Sequence, residues 1–173
     1  MGRASTKENK TIYQKFREAC GMTRAEASEA MQFVTDSRIE KIENEKTTAA
    51  PEEVMAMAQA YKRPELCNYY CRHECAIGRE WVPEIREKPI EAIVLEMLDT
   101  LNNLEKDRDR LIEITSDGVI HDDQIADFVR VRAQLERMRS VVDSLRLWFD
   151  TAVAAGSVNR EILDKVLKAN TTS

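Results

Sequence analysis

The sequence predicts an all-α protein: a cluster of short helices followed by a long antiparallel helical hairpin. Three observations carry this. Apolar residues recur at helical steps of three and four along the chain. Five glycines and 6% aromatic residues argue against a β-barrel or β-sandwich. Beyond Pro89, apolar positions follow a seven-residue period through Thr115.

With 173 residues, 43% hydrophobic and 33% charged, the chain suits one ordinary domain or two small ones. Its N-terminus is polar, and no apolar run approaches the roughly eighteen residues needed to span a bilayer. A soluble cytoplasmic protein without signal peptide or membrane anchor is expected. The net charge of −5 argues against indiscriminate coating of nucleic acid, which depends on releasing counterions from phosphates. Residues 1–63 hold 11 Lys and Arg against 10 Asp and Glu, and the remainder holds 15 against 21. Any DNA contact therefore belongs to the first part.

The first helix carries Ile12, Phe16 and Ala19 and stops before Gly21. Thr23 with Glu26 three residues later forms a capping box for the second, which carries Ala25, Ala27, Ala30 and Met31. Ser37 with Glu40 predicts the cap of the third, whose apolar residues are Ile39 and Ile42. Pro51, with Glu52 and Glu53 in the first turn, opens the fourth, and Pro64 opens a fifth that runs to about Tyr70 or Cys71.

The stretches "FREACGMTRAEAS" and "RIEKIENEK", with this order and spacing of helices, resemble the lambda-repressor-like helix-turn-helix family, also called the XRE or Cro/cI type, over about residues 11–71. The resemblance implies a DNA-binding domain whose third helix enters the major groove. It also shows departures. "MQFV" is one residue longer than the family's usual link between the second and third helices, Glu45 stands where a glycine normally closes the third, and Asp36 occupies a position often used to contact bases.

Within that frame the expected DNA-binding residues are Arg24, Ser37, Arg38, Lys41 and Lys46. Arg24 opens the second helix, where free N–H groups attract an anion. Arg38 and Lys41 lie three apart, away from Ile39 and Ile42, within reach of a guanine edge or a phosphate. Lys46 adds a backbone contact after the helix, and Glu43 falls at an interior edge. Four acids against three bases in "TDSRIEKIENEK" imply weak affinity per subunit.

"LCNYYCRHECAIG" spaces Cys67, Cys71 and Cys75 four apart with His73 between the last two. Buried or idle thiols, a metal or redox site, and a disulfide all remain open; the spacing is no standard zinc signature, so no metal or other cofactor is assigned. No Gly-rich phosphate loop or nucleophile–base pair points to an enzyme.

Gly78, Pro83 and Pro89 interrupt the next stretch, which reads as a linker over residues 76–88 between a domain at 1–75 and another at 89–173. Ile90, Val94, Met97, Leu101, Leu104, Leu111 and Thr115 form one seam, broken only at Arg108. After "TSDGVIHDD", with Gly118 as the stop, come Ile125, Phe128, Leu135, Met138, Val142, Leu145, Phe149 and Ala152, then a short helix near Asn159 to Leu167. A lone hairpin covers only part of such stripes. Val94, Met97, Leu101, Leu104, Leu135, Val142, Leu145 and Trp148 are the expected dimerisation residues of a paired, coiled-coil bundle. The whole reads as a homodimeric regulator that binds double-stranded DNA. Two alternatives stand beside it: a scaffold whose acidic third helix binds a protein partner, and a metal or redox sensor using the cysteines.

Overall fold

Thr11, Thr23 and Thr35 each stand one residue ahead of a helix, and their hydroxyls set where the first three helices begin. In the computed structural model, which describes residues 10–170, these helices are α1 (Ile12–Ala19), α2 (Arg24–Met31) and α3 (Asp36–Glu43). Thr11 Oγ1 accepts from the Gln14 amide at 3.3 Å, Thr23 Oγ1 from Glu26 at 3.2 Å and Thr35 Oγ1 from Arg38 at 3.2 Å. The expected capping box is present at Thr23, where Glu26 Oε2 accepts back from the Thr23 amide at 2.7 Å. At α3 the cap is Thr35, not Ser37, so Ser37 lies inside the first turn. Both residues are good caps; the helix that starts at the earlier one carries Asp36 in its first turn, where the dipole favours an acid.

Helix ends are set as tightly. After α3, the Glu45 amide bonds the Ile42 carbonyl at 3.0 Å and the Lys46 amide the Lys41 carbonyl at 2.8 Å, a closing turn that puts Glu45 at φ 57°. Glycine adopts that left-handed conformation at least cost, so Glu45 holds it under strain. Glu45→Gly is expected to stabilise the first domain by about 1 kcal/mol, read as a higher urea midpoint. An unchanged or lower midpoint would show that the Glu45 side chain compensates for its backbone.

Helices α4 (Pro51–Ala60) and α5 (Glu65–His73) complete the cluster. Tyr13, Ala27, Met31, Val34, Ile39, Ile42, Val54, Met57, Tyr61 and Leu66 form its core. Each fully buried aliphatic or aromatic side chain contributes on the order of 2 kcal/mol before conformational entropy is charged. Residues 76–81, read from sequence as linker, instead form α6 (Ala76–Trp81), packed on α5. Gly78 permits the approach, since a Cβ there would run into the Cys71 carbonyl.

The chain divides into two compact units, one running to Glu84 and taking in the segment from Phe149 onward, the other Ile85–Trp148. The second is built on α7 (Ile90–Thr115) and on α8 (Ile125–Ala154) as far as Trp148, with Gly118 at φ 74° in the connection. Arg110 Nε meets Asp127 Oδ2 at 2.6 Å, Arg130 Nη2 meets Asp107 Oδ1 at 3.1 Å and Gln134 Nε2 meets Asp107 Oδ2 at 3.2 Å. These bonds tie the last turns of α7 to the first turns of α8. α9 (Arg160–Asn170) follows, its start marked by Asn159 Oδ1 accepting from the Ile162 amide at 3.2 Å. Among the described residues there is no strand, and no helix is long and apolar enough to cross a membrane.

α7 and α8 bury an apolar track of their own beside several of the positions expected to pair two subunits. In α7, Ile93, Thr100 and Ile114 are buried with Asp107 half-buried at the same seven-residue spacing, and Met97, Leu104 and Leu111 are half-buried beside them. In α8 the buried positions include Val131, Val141 and Ser144, with Met138, Leu145 and Trp148 half-buried. Val94, Leu101, Leu135 and Val142 lie one residue further round, 37%, 48%, 50% and 51% exposed. The inner track tolerates polar residues because each has a partner: Thr100 donates to the Glu96 carbonyl at 2.7 Å, Ser144 to the Ser140 carbonyl at 2.8 Å, and Asp107 accepts across the pair.

Candidate nucleic-acid interface

The helix-turn-helix face is built on a buried ion cluster. Glu43, at the end of α3, is fully buried and accepts from Arg17 Nε at 2.6 Å, Arg17 Nη2 at 2.9 Å and Arg24 Nε at 2.8 Å. Arg17 is itself buried and donates a further bond from Nη1 to the Met22 carbonyl at 2.6 Å. Burial pulls the Arg17 pKa down, but the hydrogen bond and charge of Glu43 outweigh it and leave the guanidinium more firmly protonated than usual. Arg24 keeps 31% of its side chain in solvent, with Nε tied to Glu43. Its guanidinium is thereby oriented from behind at the first residue of α2.

Arg38 departs from expectation. Its Nε and Nη2 grip both oxygens of Glu53 at 2.6 and 2.9 Å, Nη1 donates to Thr47 Oγ1 at 2.7 Å and Nη2 to the Thr48 carbonyl at 2.9 Å. The side chain therefore ties α3 to the loop behind it and to the first turn of α4. Glu53 also accepts from the Ala50 amide at 2.7 Å; the Arg38 hydrogen bond, with that amide, holds its carboxyl below the usual range against the opposing effect of burial. Helical spacing alone puts Arg38 outward, and the bent loop supplies partners that spacing cannot show.

What α3 and its exit present to solvent is Asp36, Ser37, Glu40, Lys41, Glu45 and Lys46. Ile39, Ile42 and Glu43 face inward, as expected.

The longer link before α3 has an unusual backbone. Gln32 sits at φ 64°, ψ −42°, and the Phe33 amide bonds the Met31 carbonyl at 2.8 Å, which is a γ-turn of the strained, positive-φ kind. Met31 and Val34 on either side are buried, while Phe33 is 62% exposed.

The cysteines and His73 are drawn into separate contacts. Cys67 packs against the core, Cys75 Sγ accepts from the Gly78 amide at 3.4 Å at the start of α6, and His73 lies 4.6 Å from the Tyr69 ring. Cys20 Sγ donates to the Tyr61 carbonyl at 2.7 Å. Burial, and after it the neighbouring thiol, pushes the Cys67 and Cys71 pKa values up, which favours the unreactive thiol form. All four cysteines are free, and among the described residues no group of three His, Cys, Asp or Glu side chains is placed to hold a metal ion.

Five short helices with a capped second and third, a buried arginine–glutamate tie between them and an exposed third-helix face define a helix-turn-helix domain of the DNA-binding class. Comparison with known families agrees: the family model described as helix-turn-helix matches residues 14–66, and that segment is a lambda-repressor-like (XRE-type) helix-turn-helix. No curated protein and no solved structure matches the chain.

Proposed function

We propose that the protein is a transcriptional regulator that binds double-stranded DNA sequence-specifically as a homodimer. The observation that carries it is the helix-turn-helix match with α3 presented to solvent. Arg24 and Lys46 contact phosphates on either side of α3, and Ser37 and Lys41 meet base edges in the major groove. Arg38 serves as a positioning residue, since four of its N–H donors are engaged by Glu53, Thr47 and Thr48. The exposed track of α7 and α8 supports the dimer, which spaces two weak half-site contacts into one strong one. Selection of bound sequences from a random duplex pool tests this, and enrichment of an inverted repeat is the expected result. Lys46→Ala should weaken binding about equally on all sequences and reduce the salt slope by about one, as measured by anisotropy over a salt series.

A second reading has its own observation. Asp36, Glu40 and Glu45 are exposed beside Lys41 and Lys46, so the face has more acid than base to offer. A face of that kind suits a protein partner with a basic surface. Failure to enrich any DNA, at low salt as well as physiological salt, would favour this reading over the first.

A further inference from the structure

Phe33 has no part in the core, yet the chain holds it at the mouth of the recognition helix through a strained turn. Its ring is 62% exposed between two buried neighbours, Met31 at 5% and Val34 at 1%, which fix the link on both sides. The γ-turn at Gln32, φ 64°, is what turns Phe33 outward, and two residues later Thr35 caps α3. Strain of this kind persists only where the surroundings impose it, and it collects at functional positions. This exposed large apolar side chain lies two residues ahead of the Thr35 cap, at the N-terminal end of the helix that approaches base edges in a helix-turn-helix complex. Phe33 carries no donor or acceptor, so hydrogen-bond readout and phosphate contact are both closed to it. The one base-pair feature in the major groove that an apolar group recognises is the C5 methyl of thymine.

We infer that Phe33 is a specificity-determining residue that packs on a thymine methyl group at the edge of each half-site. The inference rests on the DNA-binding reading above and adds a base and a chemistry to it. With Gln32 taking the turn, Phe33 stays outside the core while Met31 and Val34 enter it.

The test uses the full-length chain and the duplex it enriches from a random pool. Each thymine is replaced in turn by deoxyuridine, which removes the methyl and nothing else. Wild type should lose about fourfold in affinity at one symmetric pair of positions, the worth of one buried methyl per half-site change. Phe33→Ala should be insensitive to deoxyuridine at those same positions, keep the wild-type salt slope, and keep the wild-type unfolding midpoint because the side chain is solvated. Phe33→Leu should retain most of the methyl preference. Equal deoxyuridine losses in wild type and Phe33→Ala would overturn the inference while leaving DNA binding intact. So would a selected site without thymine at any sensitive position, or a Phe33→Ala chain that unfolds and thereby assigns the ring to packing. If wild type enriches no duplex at all, the DNA-binding reading fails first, and this inference with it.

Discussion

Glu43→Ala should cost the first domain about 3–5 kcal/mol, because it leaves two guanidinium groups without the carboxylate that neutralises them. Glu43 is fully buried and takes three N–H bonds at 2.6–2.9 Å. Water cannot replace it at Arg17, whose side chain is only 7% exposed. A unit of this size has on the order of 5 kcal/mol of total stability, so the variant should be largely unfolded in its first 70 or so residues at 37 °C. The order of effects follows exposure: Glu43→Ala largest, Arg17→Ala next, and Arg24→Ala smallest, since solvent takes over part of the Arg24 charge. Hydrogen exchange at the Ile39, Ile42 and Leu66 amides reads the first unit separately from α7 and α8. Protection in Glu43→Ala within about 1 kcal/mol of wild type would show that the ion cluster contributes little. Replacing both members, Arg17→Met with Glu43→Leu, should restore much of the stability yet leave Arg24 untethered and DNA affinity reduced. That pairing of results would separate what the cluster does for folding from what it does for the interface.

Local rules made most of the first domain legible. The capping box at Thr23 and Glu26, the proline at the start of α4 and the inward Ile39 and Ile42 all involve residues at most four apart, where helix geometry alone decides the outcome. Arg38 was not legible for the opposite reason. Glu53 is 15 residues away and Thr47 nine, across a loop whose path depends on packing, so a side chain that helical spacing marks as free is engaged by chain folding back. The positive-φ turn at Gln32 also lies beyond composition, since glutamine carries none of the usual signal for that backbone. In α7 and α8 the difficulty was degeneracy. Each helix carries two adjacent apolar tracks, and the period of seven fits both. Polar residues at Thr100, Asp107 and Ser144 make the buried track look like the weaker candidate, until their hydrogen-bond partners across and along the helices are seen.

Charging the outer track should separate two subunits without unfolding either. Leu101 and Val142 are 48% and 51% exposed, so Leu101→Lys with Val142→Lys removes little from the hairpin itself, and each substitution should change its stability by no more than about 0.5 kcal/mol. If the outer track is the dimer surface, the same two lysines enter an apolar interface twice over, once from each subunit, and neither partner supplies a carboxylate from this track to meet them. The expected result is a monomer of wild-type helicity by light scattering and circular dichroism. Binding to an inverted repeat should then fall by about 100-fold or more, while binding to an isolated half-site is unchanged, because what is lost is effective concentration and not contact. Ile114→Lys and Val131→Lys provide the contrast. Both residues are buried, at 0% and 1% exposure, and a charge there should unfold the hairpin outright. A wild-type chain that is monomeric at micromolar concentration, or an outer-track variant that still binds the inverted repeat at full strength, would move the cooperative contact away from these helices and leave Val94, Leu101, Leu135 and Val142 for some other partner.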